Sequence, residues 1–195
     1  MTASVPSIGR LVLRIFLWLT PCFAAWYFSA PYHAAVAGQL ARLLVNPFIS
    51  GRVTALEQPA LDLIFVTTIT VHPAPGQTAL LVPEVNPLLY TYGLALFLAL
   101  MFAAGARWWK IFAGVALLLP FQSWGIAFDV LAQLGVRVGP DIAAQAGLSG
   151  WRVETVALGY QLGSLIFPVL IPVMLWAGFN RLFIENVLRA RARNS

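Results

Sequence analysis

The chain has 195 residues, of which 60% are hydrophobic and only 10% are charged. A water-soluble domain carries about a quarter charged residues, so this composition excludes a soluble globular protein and predicts a polytopic membrane protein. The net charge of +5 does not indicate nucleic-acid binding, because the basic residues lie between apolar runs or in a tail that suits anionic lipid headgroups.

The first apolar run, residues 11–30, is predicted to be a transmembrane helix. Its twenty residues match a hydrocarbon core about 30 Å thick at a rise of about 1.5 Å per residue. A cleavable signal peptide is the alternative interpretation. The small pair Ser29 and Ala30 is followed by Pro31, which is a poor residue after a cleavage site. We therefore expect an uncleaved signal anchor.

Residues 31–86 form the predicted extracytoplasmic segment. A helix is predicted over 32–49, along or just above the membrane surface, because apolar residues recur there at helical spacing. The β-branched run 61–71 and the short run 78–82 are typical of strands, with proline and glycine between them. They predict a small β-hairpin over 61–82.

Three further spans are predicted, over residues 87–106, 111–134 and 153–184. The last of them contains Pro168 and Pro172, which remove backbone donors and predict a kink. The expected fold class is therefore mainly α. It is a single integral membrane domain with about four transmembrane helices and a small extracytoplasmic β-hairpin.

The distribution of charge predicts the orientation of the chain. With a cytoplasmic N-terminus, the inner side carries eight of the twelve Lys and Arg residues and one of the seven acidic residues. These inner basic residues are Arg10, Arg14, Arg107, Lys110, Arg181, Arg189, Arg191 and Arg193. The positive-inside rule therefore predicts that both termini are cytoplasmic.

Asp129 needs the most explanation, because an acid within an apolar helix is costly unless it meets a partner or water. It is either a proton- or substrate-binding carboxylate or a membrane-edge residue that pairs with Arg137 or Arg152. Hydrogen bonding between helices is the favoured explanation of the other polar residues in these spans, and convergence of several polar residues with Asp129 in one outward-facing cleft is the alternative. The residues of this predicted cleft are Glu84, Asn86, Gln122, Trp124, Asp129, Tyr160 and Gln161.

No motif for catalysis, metal binding or cofactor binding is present in the sequence. His33 and His72 are the only histidines, and their spacing builds neither a metal site nor a catalytic triad. Cys22 is the single cysteine and lies in an apolar span, where a thiol is typical of a small buried residue. We predict no metal and no cofactor. The carboxylates of Glu84 and Asp129 could form a catalytic acid pair, but no motif supports it.

Three segments resemble the exosortase H-associated membrane protein family. They are LVPEVNPLLYTYGL at 81–94, LPFQSWGIAFD at 119–129 and ALGYQ at 157–161. With the opening stretch 18–31, the similarity spans most of the chain. The resemblance implies a small inner-membrane protein of Gram-negative bacteria, associated with an exosortase that processes proteins bearing a C-terminal sorting signal.

The order of the predicted elements also resembles the core of exosortases and archaeosortases. In those enzymes a hairpin leads into a catalytic Cys, the next helix presents an Arg, and the last helix starts near a His. In this sequence Asn86 stands about where the Cys would be, Asp129 stands about where the Arg would be, and no histidine follows His72. The resemblance therefore implies the scaffold without the nucleophile, the cationic stabiliser or the proton-transfer group.

Three functions remain open from the sequence. The first is a non-catalytic accessory protein, embedded in membrane lipids, that packs beside an exosortase-type partner or presents its sorted substrates. The second is a membrane-embedded protease or transferase that uses the carboxylates of Asp129 and Glu84. The third is a small transporter subunit, because acids within membranes also serve proton coupling.

Overall fold

The computed structural model describes residues 8–72, 74, 76–182 and 184–185. These residues are mainly α-helical, and three of their helices are long and apolar enough to cross a membrane. The helices are α1 (Ile8–Val45), α2 (Leu88–Ala103), α3 (Trp108–Arg137), α4 (Pro140–Gln145) and α5 (Trp151–Phe179). The strands are β1 (Val53–Glu57), β2 (Leu63–Thr67), β3 (Thr70–Val71), β4 (Ala79–Leu80) and β5 (Glu84–Val85). The prediction of a mainly α membrane protein with a small β element is confirmed.

Helix α1 differs from the two separate helices predicted over 11–30 and 32–49. It is continuous through both, with Pro21 and Pro31 inside it. Each proline costs one backbone hydrogen bond, a loss that neighbouring groups in a membrane protein can accommodate. The helix ends at Val45 because Asn46 precedes a proline, and a residue in that position is disfavoured in the α conformation.

Helix α2 occupies the position of the second predicted span, 87–106, but it is shorter. It runs only from Leu88 to Ala103, with an irregular turn at Tyr92. Its end is set by Gly105, whose positive φ of 65° is a conformation that glycine adopts without strain. The number of membrane passes therefore stays a prediction. So does the orientation, since Arg189, Arg191 and Arg193 lie outside the described residues.

The strands form two small antiparallel sheets, β1–β2–β5 and β3–β4. Leu63 pairs with Val85, and Thr70 pairs with Leu80, so the chain from β2 to β5 folds back on itself as a hairpin. This hairpin reaches Val85, beyond the predicted end at 82. The predicted turn includes residues 73 and 75, which lie outside the described residues. Strand β1 was not predicted, because only Val53 is buried in it and no alternation marks a strand.

Two clusters of buried apolar side chains hold these elements together. One lies where the ends of α1 and α3 meet the sheet and includes Val45, Phe65 and Leu134. The other lies between α1, α2 and α3 and includes Trp26 and Phe97. The sheet is therefore packed against one end of the helices, and this packing positions the polar residues described below.

Arg42 ties the end of α1 to the first strand. Its Nε donates to the carbonyl of Val53 at 3.1 Å, and its Nη2 donates to the carbonyl of Thr54 at 2.7 Å. Replacing Arg42 with methionine should therefore lower the free energy of unfolding by about 1–2 kcal/mol, measured by thermal unfolding in a mild detergent. The matched control is Arg52→Met, since the exposed Arg52 side chain makes no hydrogen bond within the described residues. An equal loss in both variants would contradict this account.

Candidate functional site

Asp129 lies near the end of α3 and forms an ion pair with Arg137 on the same helix. The guanidinium Nη1 is 3.1 Å from the carboxylate Oδ1. Side chains on a helix lean toward its N-terminus, so Arg137 reaches back along α3 to a residue two turns earlier. The last turn, Gln133–Arg137, is π-helical, which changes the rotation between the two residues.

Gln133 lies between the two charged residues and connects them to the sheet. Its amide Nε2 is 3.5 Å from the Asp129 Oδ1 and donates to the backbone carbonyl of Glu84 at 2.8 Å. The carboxylate of Asp129 therefore has a cationic partner and an amide partner. The same amide also fixes the end of α3 to β5.

Two tyrosines from other helices complete the group. Tyr90 on α2 interacts with both the Asp129 carboxylate and the Tyr160 hydroxyl. The ring of Tyr160, on α5, lies under the Arg137 guanidinium, 5.1 Å from its Cζ. Three helices thus meet at one polar group, which we call the Asp129 cluster; it consists of Tyr90, Asp129, Gln133, Arg137 and Tyr160.

The Asp129 cluster is assembled where α3 and α5 make close backbone contact. A Cβ on Gly163 would lie 2.7 Å from the Cα of Gly125, a distance that atoms do not tolerate. A Cβ on Gly125 would also collide with the ring of Tyr90. The two glycines therefore allow α5 and Tyr90 to approach α3, and this approach brings Tyr90 to the Asp129 carboxylate and Tyr160 to the Arg137 guanidinium.

The cluster joins a buried carboxylate to a half-exposed cation. The side chain of Asp129 is 9% exposed, whereas that of Arg137 is 49% exposed. The carboxylate is therefore fixed by structural partners, while the guanidinium also reaches the surface. This arrangement stabilises the meeting point of three helices and leaves the guanidinium half-exposed.

Gln122 and Trp124 lie deeper along α3 and make other contacts. The Oε1 of Gln122 is 2.5 Å from Nε2 of His33 on α1, which is a bond between helices. The indole Nε1 of Trp124 donates to the carbonyl of Gly159 at 3.1 Å. Both residues hold neighbouring helices to α3, and neither contact joins the Asp129 cluster.

Glu84, Asn86 and Gln161 are exposed. The Oδ1 of Asn86 accepts from the amide of Leu88 at 3.0 Å and so caps the start of α2. Glu84 contributes its backbone carbonyl to the Asp129 cluster through Gln133, and its side chain faces outward. Of the seven residues of the predicted cleft, the structure thus brings the side chains of Asp129 and Tyr160 together through Arg137, whereas Asn86, Gln122 and Trp124 make contacts elsewhere.

The candidate nucleophiles and bases outside the cluster have separate positions. Cys22 is buried within α1. His33 is bonded to Gln122, and His72 lies at the end of β3, where its Nδ1 is 3.3 Å from the carbonyl of Gln77. Within the described residues, no group of three or more His, Cys, Asp or Glu side chains could hold a metal ion.

Tyr90 and Gln133 belong to the Asp129 cluster but were not predicted as site residues. A signal for Gln133 is present, because Asp129, Gln133 and Arg137 follow one another at intervals of four on a helix. The position of Tyr90 gives no such signal. Its approach to Asp129 depends on how closely α2 and α3 pack.

Together, the long apolar helices, the small sheet and the polar cluster between helix ends define a mainly α-helical membrane protein. The chain belongs to the family of exosortase H-associated membrane proteins, whose family model matches residues 5–183. The resemblance found in the sequence is thereby confirmed. A comparison with curated proteins and a comparison with solved structures each gave no match.

Proposed function

We propose that the protein is a non-catalytic accessory subunit of an exosortase-type protein-sorting system in the inner membrane. It packs beside the sortase or presents sorted proteins to it, with both termini in the cytoplasm. The family supports association with an exosortase. The proposal that the protein is non-catalytic depends on the contacts that its polar side chains make.

The observation that carries the proposal is that the candidate catalytic groups are held in structural contacts. Asp129 is ion-paired with Arg137, and His33 is bonded to Gln122. A nucleophile needs a base within hydrogen-bond reach, and the described residues contain no such contact to the Cys22 thiol. These groups therefore fit a structural role better than proton transfer or nucleophilic attack.

The positions that resemble the exosortase core support the same interpretation. Asn86 stands near the place of the catalytic Cys, and its side chain caps α2. Asp129 stands near the place of the Arg and is itself neutralised by an arginine. An amide and a paired carboxylate cannot replace a thiolate and a free cation in acyl transfer.

Exposed apolar side chains on α1 and α5 provide surfaces for lipid or for a partner helix. Phe16, Leu17 and Phe28 on α1 and Leu165 on α5 are among the most exposed large apolar residues. A membrane subunit that packs beside an integral enzyme needs such a surface, because lipid-facing helices associate by close packing.

Co-purification tests the proposal directly. We expect the full chain, tagged and extracted from its host membrane in a mild detergent, to bring down the exosortase of that host in a near-stoichiometric amount. A second tagged multi-pass protein from the same membrane, treated identically, is the control. Isolation of the chain without the exosortase would contradict the proposal.

A further inference from the structure

The segment from Ala79 to Val85 pairs along one edge with the preceding strands. The amide of Leu81 donates to the carbonyl of Ile69 at 2.8 Å. The carbonyl of Pro83 accepts from the amide of Phe65 at 2.9 Å. The main-chain groups of residues 81 and 83 therefore point into the hairpin.

The opposite edge of this segment is almost without partners. Main-chain groups alternate in direction along a strand, so those of Leu80, Val82 and Glu84 point away from the hairpin. Among the described residues, only the carbonyl of Glu84 in this set is hydrogen-bonded, by the side chain of Gln133. We call the outward groups of Leu80, Val82 and Glu84 the open edge.

The composition of the segment keeps the open edge able to donate. Pro83 lacks an N–H, but its nitrogen lies on the inner side, so no outward donor is missing. The side chains of Leu80 and Val82 are 51% and 42% exposed. Neither is a lysine or a proline, the residues that commonly block edge strands against pairing.

The other outer strands are covered by side chains from the helices. Arg42 binds the carbonyls of Val53 and Thr54 on β1, which also lies against α1. The side chain of Gln145, on α4, accepts from the outward amide of Thr70 on β3. The fold thus protects two outer strands and leaves the segment 79–85 accessible.

We infer that the open edge binds an extended segment of a sorted protein as an added β-strand. This inference rests on the proposed function and names the surface that presents the substrate. An extended peptide supplies alternating main-chain acceptors and donors, which can pair with the outward N–H and C=O groups of Leu80, Val82 and Glu84. Its side chains alternate in direction, and those on one face contact the exposed apolar groups of Leu80 and Val82.

The length of the edge favours a transient substrate over a permanent subunit. Three outward residues give only a few main-chain hydrogen bonds, too small an interface for stable assembly. Main-chain pairing also reads little side-chain identity, so one edge can accept several proteins with different sequences. Both properties suit a surface that holds a sorted protein and then releases it.

The open edge leads to the Asp129 cluster. Gln133 binds the carbonyl of Glu84 at the end of the edge and contacts Asp129 on its other side. An added strand therefore ends beside the group that joins α2, α3 and α5.

The test uses the full chain in its host, where variants replace the wild-type copy. The probe is a sorted protein with an epitope tag, and its processing is followed by pulse-chase. Val82→Pro removes an outward N–H, and Val82→Lys places a charge on the edge. We expect both to slow processing at least fivefold while the exosortase still co-purifies. Val82→Thr keeps the N–H and the β-branched shape, and its rate should stay within twofold of wild type.

Direct contact is tested with a photoreactive p-benzoylphenylalanine in place of Leu80. Irradiation should cross-link the chain to the tagged sorted protein. The control places the same photoreactive residue at the exposed Arg52, beside β1 and so at the opposite side of the sheet from β5. Arg52→p-benzoylphenylalanine should give at least fivefold less of this product.

The outcomes separate this inference from the proposed function. Normal processing in both Val82→Pro and Val82→Lys overturns the inference, as does a cross-link from position 80 to the exosortase or to a second copy of the chain. If Val82→Pro does not accumulate in the membrane, Val82→Lys decides, because its side chain faces outward. Failure of the wild-type chain to co-purify with the exosortase overturns the proposed function, whereas the cross-link to the sorted protein is scored independently.

Discussion

Replacing Gly163 with alanine should destabilise the protein by about 1–3 kcal/mol. The new Cβ would lie 2.7 Å from the Cα of Gly125, and a backbone atom cannot rotate away as a side chain can. Helices α3 and α5 must therefore separate, and Tyr160 must move away from Arg137. Thermal unfolding in a mild detergent, followed by circular dichroism, measures the loss.

Gly178→Ala is the matched control for this substitution. Gly178 lies on the same helix as Gly163, but a Cβ there would meet no atom within 4 Å. Alanine is favoured over glycine in a helix by up to about 1 kcal/mol, so this variant should be neutral or slightly more stable. Equal destabilisation at both positions would show that the close crossing of α3 and α5 does not limit stability.

The helices could be predicted from the sequence because their apolar runs are long. The residues at which the helices end, or continue through a proline, could not be predicted as accurately. Pro31 separates two predicted helices, yet α1 runs through it, because packing around a helix can outweigh the loss of one hydrogen bond. Strand β1 was missed because its structure comes from pairing with β2 and from the two bonds of Arg42, and neither depends on local alternation.

The site could be predicted only in part, for reasons of depth and packing. An acid in an apolar helix needs a partner, so the chemistry of Asp129 itself indicated Arg137 as one of two candidates. Gln122 is seven residues from Asp129, which puts it on nearly the same helix face but about 10 Å deeper. At that depth its neighbour is His33 of α1, a contact that only the packing of α1 against α3 determines.

The Asp129–Arg137 pair should respond unequally to the loss of each member. Arg137→Met leaves a buried carboxylate without its cation, and we expect a loss of about 1–3 kcal/mol in the free energy of unfolding. This is less than the loss of about 3–5 kcal/mol for a fully buried pair, because the Arg137 side is half exposed to water. Asp129→Asn should cost about 1 kcal/mol or less, since Arg137 can turn toward solvent and the amide can still contact Gln133.

The double variant tests this asymmetry. With Asp129→Asn present, no carboxylate remains to be stranded, so adding Arg137→Met should cost less than it does alone, with a coupling of about 1–2 kcal/mol. Thermal unfolding of the four proteins measures the coupling.

Processing of a sorted protein should continue in Asp129→Asn at normal membrane levels, because the carboxylate serves to hold Arg137 and Tyr90 in place. Glu84→Gln should likewise leave processing intact, as its contact with Gln133 is made by the backbone. Loss of processing in either variant, with stability and co-purification unchanged, would instead assign the carboxylate to catalysis.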